Sequence, residues 1–251
     1  MILRALPLLL LAAAPAAAQT FDPFGEAGVD ARPGARVPMD APFTAADGRR
    51  TTLRAIAGGK PILLAPVLHE CPNLCGVTLA GVADAVAAQS LRPGRDFSLV
   101  AFGIDPKEGA ADAAADLARL RERTPIDAWS LVGDAKPVHA VTDAIGYRYA
   151  WDARIRQYAH VAAVAVITPE GRLSGWLYGL TPSAADLHQA LLAARAERSG
   201  SWGEQLALLC FHYDPVSGRY TPAIEKILRI AAFATVAALA LLLLRMRRKR
   251  A

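Results

Sequence analysis

The sequence predicts an α/β sandwich built on a mixed sheet, and three observations predict it. Short apolar runs bounded by Gly or Pro alternate with segments in which apolar residues recur at helical spacing. The last two apolar runs are separated only by a turn signal, which makes them antiparallel neighbours. An amphipathic helix then closes the series, so strands and helices alternate and end on a hairpin.

The chain opens with Arg4, an apolar stretch and the triplet Ala16-Ala17-Ala18, the pattern of a signal peptide over residues 1–18. Pro15 ends the apolar run short of the ~20 residues that span a bilayer. Residues 19–42, with four prolines, three glycines and no apolar period, read as an extended linker, so the folded domain is expected over 43–198. Residues 61–68 and 97–104 read as buried strands. Between them Leu79, Val82 and Val86 mark one face of a helix; Ala113, Leu117 and Leu120 mark a second, and Val138, Val141 and Ile145 a third that stops at Gly146. Residues 161–167 and 173–178 form a hairpin through Pro169-Glu170-Gly171. Leu187, Leu191 and Ala194 face the core from a last helix, entered through Thr181-Pro182-Ser183 with the proline in its first turn. This order fits a thioredoxin-like sandwich.

A juxtamembrane segment, 199–226, leads to residues 227–244, apolar except for Arg229 and Thr235, which read as a C-terminal transmembrane helix. The tail 245–251 follows with five basic residues, a cluster retained on the cytoplasmic side. Both ends therefore predict a single-pass inner-membrane protein with its domain in the periplasm. The formal net charge of +5 does not indicate a nucleic-acid partner. Setting aside Arg4 and the five basic tail residues leaves 22 basic residues against 23 acidic ones.

Chemistry concentrates in Cys71-Pro72-Asn73-Leu74-Cys75, between the first buried strand and the first strong helix. There the helix N-terminus favours thiolate over thiol. Cu(I) prefers thiolates, with imidazole a natural third donor. Three intervening residues, against two in a thioredoxin redox motif, let the sulfurs embrace one ion without forbidding a disulfide. A structural zinc site would need a second cysteine pair, and the sequence has none.

An exported domain with Cys-Pro-x-x-Cys after its first core strand, and a histidine some ninety residues later just before a buried strand, resembles the Sco/SenC family of cytochrome oxidase assembly factors. The resemblance covers residues 43–194. It implies copper as the cargo, with Cys71, Cys75 and His160 as its ligands, and Asp105-Pro106 matches the family's Asp-Pro segment. Where the family commonly has proline after the second cysteine and threonine two residues before the first, this chain has Gly76 and His69. Many relatives also carry an N-terminal anchor, unlike the arrangement read here.

The resemblance implies a metallochaperone, which requires no catalytic turnover, delivering copper to the binuclear copper site of a respiratory oxidase subunit. A periplasmic copper donor or thiol reductase is a further expected partner. The alternative is a thiol-disulfide oxidoreductase acting on the oxidase's cysteines, since this architecture hosts both tasks. A peroxidase fits less well, because its resolving cysteine would not sit four residues from the attacking one. His69 is a candidate accessory donor, and Asp105 either supports the site or caps a loop. His139 and His188 are expected at the surface. Cys210 and His212, two residues apart ahead of the membrane helix, form either a weak secondary copper site or part of a packing segment.

Overall fold

The computed structural model describes residues 22–70 and 75–198, together with 213–214, 219–220, 229–230, 232–233 and 235. A short helix α1 (Pro23–Glu26) and strand β1 (Gly28–Val29) precede the hairpin β2 (Pro42–Ala45) and β3 (Arg50–Thr52). Helix α2 (Leu53–Ala57) follows at once, capped by the Thr52 side chain. Then come β4 (Ile62–Val67), α3 (Cys75–Ala87), β5 (Ser98–Gly103), α4 (Ala110–Arg123), β6 (Trp129–Val132) and α5 (Ala135–Ile145). Strands β7 (Tyr147–Arg148), β8 (Ala150–Asp152) and β9 (Gln157–Ala159) lead to β10 (Ala163–Ile167), β11 (Leu173–Tyr178) and α6 (Ala184–Arg195). Beyond these, Tyr213–Asp214 and Arg219–Tyr220 pair as an antiparallel ladder.

The main sheet has the order β11-β10-β4-β5-β6-β2-β3. Its centre, β4-β5-β6, is parallel, while β10 and β2 join antiparallel at its two sides. Every residue of β4 and β5 is buried, as expected for strands covered on both faces. Side chains alternate between two cores. Ile62 and Leu64 of β4, Val100 and Phe102 of β5 and Ala165 of β10 pack with α2 and α5. Leu63, Ala65, Leu99, Ala101 and Val164 pack with α3, α4 and α6. The mixed sheet with helices on both faces is the expected thioredoxin-like α/β sandwich.

Within residues 43–198 the expected strands, helices and hairpin are present, the hairpin with a bulge between Val166 and Ile167. Strands β2, β3, β6 and β7 to β9 and helix α2 are additional to the sequence reading. Ser183 caps α6 by accepting from the Asp186 amide, so Pro182 stands just outside the helix instead of in its first turn. The fold also reaches further toward the N-terminus than the linker expected over 19–42. β1 pairs with β7, Val37 donates to the Gly171 carbonyl, and Val37 and Met39 are buried in the core. Tertiary hydrogen bonds order this arm where local periodicity does not.

Residues 1–18, read as a signal peptide, lie outside the described residues. The span read over 227–244 is described only at residues 229–230, 232–233 and 235, all helical. Among the described residues, no helix is long and apolar enough to cross a membrane.

Candidate metal centre

Strand β4 delivers the chain to the cysteine turn. Leu68 and His69 continue it, both buried, and Glu70 is exposed. Residues 71–74, including Cys71, lie outside the described residues, as does the side chain of Cys75. The backbone places Cys75 as the first residue of α3. Strand β10 pairs antiparallel with β4 in the register Ala165↔Leu64 and Ile167↔Ile62. The start of β10, and with it His160, therefore lies beside the end of β4 from which the cysteine turn departs.

His160 occupies the loop between β9 and β10 and is half-buried. The hydroxyl of the buried Tyr147 donates to the Val161 carbonyl at 2.8 Å and lies 3.1 Å from His160 Nδ1. A phenol has one proton, and here the carbonyl takes it. The His160 ring must then donate from Nδ1 to the phenolic oxygen, which makes Nε2 its basic nitrogen. Burial pulls the His160 pKa below the usual imidazole range, against a smaller upward effect of its bond with Val161. A neutral imidazole with one nitrogen engaged from behind is the form that binds a metal. Tyr147 is itself fixed by stacking on Trp176 at 5.8 Å between centroids.

His69 does not serve as the accessory donor. The residue is 1% exposed; Nδ1 lies 3.0 Å from Asp116 Oδ2 and Nε2 lies 3.1 Å from the Leu131 carbonyl. Both neighbours are acceptors, so the pair is fully satisfied only by a doubly protonated ring. Burial acts to lower its pKa, but the bonds to Asp116 and Leu131 and the charge of Glu108 outweigh it and hold the group above the usual range. Arg119 Nη2 donates to the His69 carbonyl at 2.8 Å and to Asp116 Oδ1 at 3.3 Å.

Asp105 caps its loop by accepting from the Lys107 amide at 2.9 Å. Its charge nonetheless reaches the site, adding to the effect of burial in raising the Tyr158 pKa. Glu108 accepts from the Glu70 amide at 2.9 Å, while its other oxygen is buried with no hydrogen-bond partner among the described residues. Burial pushes the Glu108 pKa up, partly offset by the Glu70 bond. Among the described residues, no three of these side chains could hold a metal ion by themselves.

His139 is exposed as expected and stacks on Tyr149 at 5.7 Å. His188 is half-buried instead, its Nδ1 3.0 Å from Gln89 Oε1, because α6 turns that face toward the end of α3. Cys210 and His212 lie outside the described residues. The sequence reading missed Tyr147, Asp116 and Arg119. Asp116 carries a legible signal: it sits three residues after Ala113 and beside Leu117, a carboxylate on the apolar stripe of α4. Tyr147 carries none, because only the return of the chain after α5 brings it to His160.

The SCO1/SenC family model matches residues 31–194. None of the curated proteins matches the chain. Among solved structures, a protein of Aquifex aeolicus VF5 assigned to electron transfer superposes with a TM-score of 0.59 at 23% identity, over 65% of this chain and 94% of its own. ScoI of Arabidopsis thaliana, solved with copper bound, gives 0.52 at 19%, over 65% and 98%. BsSco, in which a disulfide switch was identified and which belongs to the Sco family of cytochrome c oxidase assembly proteins, gives 0.51 at 16%, over 65% and 96%. At these identities the structures establish the shared fold. The family match runs from the arm before β2 almost to the end of α6, and on that ground the chain belongs to the SCO1/SenC family.

Proposed function

We propose that this protein is a membrane-anchored periplasmic copper metallochaperone. It carries one copper ion on Cys71, Cys75 and His160 and delivers it to the binuclear copper site of a respiratory oxidase. The observation that carries this reading is the neutral His160 imidazole, bonded through Nδ1 to Tyr147 at the sheet end where β4 leads into the cysteine turn. A dithiol reductase has no need of such a group. Two thiolates and an imidazole suit Cu(I), and the nitrogen donor lets Cu(II) bind as well. Delivery proceeds by ligand exchange, an incoming thiolate of the acceptor replacing one chaperone ligand at a time. Copper in the Arabidopsis relative and the family's link to oxidase assembly support the choice of cargo and acceptor. Membrane attachment through 227–244 is supported by the exposed Ile230 and Phe233, apolar side chains suited to lipid.

The test is copper content of the purified exported domain with electronic spectra of its Cu(II) form. Wild type should hold one copper with a thiolate-to-copper band. Either Cys71→Ser or Cys75→Ser should abolish tight binding, and His160→Ala should weaken it. Stoichiometric copper in both serine variants would refute the assignment.

A second reading, reduction of the oxidase's own cysteines by the Cys71 and Cys75 thiols, is favoured by the disulfide switch of BsSco. A strain lacking the protein separates the two. Oxidase activity restored by added copper supports delivery, whereas activity restored by thiol reductant and not by copper supports reduction.

A further inference from the structure

The residue that stands two positions before Cys71 is held from four directions, none of which involves a metal. The His69 ring lies between the Asp116 carboxylate and the Leu131 carbonyl, at 3.0 and 3.1 Å. Its carbonyl accepts from Arg119 at 2.8 Å, and the next amide, that of Glu70, donates to Glu108 at 2.9 Å. The fourth direction is steric. A Cβ on Gly103 would stand 2.9 Å from His69 Nε2 and 3.0 Å from the Leu131 carbonyl, so the end of β5 makes room for the ring by carrying no side chain. Asp116 joins the whole, since Arg119 also bonds its second oxygen.

We infer that His69, Asp116 and Arg119 are positioning residues for metal binding: they lock the backbone that enters the cysteine turn, so copper retention depends on groups that never touch copper. Residues 68–70 are the only covalent lead from the sheet to Cys71, and the clamp fixes both the side chain and the peptide groups of that lead. The same function could not be met by a side chain reaching toward the ion, because both ring nitrogens of His69 are already committed to protein acceptors. Anchoring of this kind lowers the ordering cost of binding and slows release of the ion. It also explains why α4 places a carboxylate on its apolar stripe, where a leucine would pack without a partner.

The inference rests on the copper reading for its metal arm only, and the experiment has a second arm free of metal. Three variants of the exported domain are compared with wild type: His69→Leu, Arg119→Gln and, as a control on the same helix, Arg123→Gln. Arg119 is 59% exposed in its side chain, so its variant keeps the fold and decides the outcome if His69→Leu does not fold. Among the described residues, Arg123 pairs with Asp84 at 3.6 Å on the surface.

In the metal-free arm, hydrogen exchange at the amides of residues 69–71 should quicken at least tenfold in His69→Leu and Arg119→Gln and stay at the wild-type rate in Arg123→Gln. In the metal arm, copper release to a chelator should quicken about tenfold or more in His69→Leu and severalfold in Arg119→Gln, with a changed thiolate-to-copper band. Unchanged exchange in both variants overturns the clamp. Faster exchange with wild-type release and spectrum overturns its link to metal. A wild-type domain that binds no copper refutes the proposed function, and the exchange arm then still judges the clamp.

Discussion

Tyr147 and His160 are joined by a single proton count. With the phenolic O–H donated to the Val161 carbonyl, the imidazole proton has to sit on Nδ1. Tyr147→Phe keeps the buried ring and its stacking on Trp176 but lets His160 choose either tautomer. Copper affinity, measured by competition with a chelator, should fall about tenfold, and the variant should lose about 1 kcal/mol of stability from the missing hydrogen bonds. Tyr149 offers a test of electrostatics. Burial raises its pKa from the ordinary 10.0 to about 12. Between those values the unfolded chain ionises while the folded one does not, so this group's stabilising effect is complete below pH 10 and is lost as pH rises toward 12. Denaturant melts at pH 9 and pH 11 should register that fall, and Tyr149→Phe should reduce it, leaving the part due to Tyr158, which is raised in the same direction. The cysteine pair stands out in the sequence because soft donors at a strand-to-helix turn are uncommon, whereas His160 enters only through the family resemblance. Of the supporting groups, Asp116 shows in the sequence only as a carboxylate on an apolar stripe, because its partner His69 comes from another element. Tyr147 shows nothing, because the turn of the chain after α5 is what brings it to His160.

At the scale of elements, legibility follows length and periodicity. β4 and β5, six buried residues each, and the helical stripes of α3 to α6 stand out in sequence. β6 is four residues, Trp-Ser-Leu-Val, too short for any period to declare itself. In sequence, residues 19–42 carry four prolines, three glycines and no apolar period, so nothing there marks Val37 and Met39 for burial. Their burial comes from hydrogen bonds to Gly171 and from Arg54 to Met39. Gly146 stops α5 as its sequence indicates, and the structure adds a second constraint. Its φ is 74°, and a Cβ there would collide with the carbonyl oxygen of Asp30, on the arm that docks beside it. Gly48 has a similar φ of 81° but open space around it. Gly48→Ala should therefore cost only the left-handed backbone penalty, about 1 kcal/mol. Gly146→Ala should cost clearly more and loosen β1 from β7. Thermal melts of the two variants give the difference, at about 2–4 °C per kcal/mol for a domain of this size.

For the molecule as a whole, the proposed topology makes a direct prediction. A reporter active only in the periplasm should work when fused before Ile224 and fail after Arg250, because the basic cluster keeps the tail in the cytoplasm. A reporter active at the second position would reverse the orientation. The antiparallel pairing of β10 with β4 has a further consequence, one of timing. His160 enters the site from the opposite chain direction to the cysteines and some ninety residues after them. On the proposed export and ligand set, the cysteine turn emerges first, and Cys71, Cys75 and His160 come together only once the later half of the domain has emerged and β10 has closed against β4. Such long-range pairing is slow to form compared with the local helix that follows Cys75. On that reading a half-emerged chain offers copper only the two thiols of the set, and tight capture of the ion becomes a mark of completed folding.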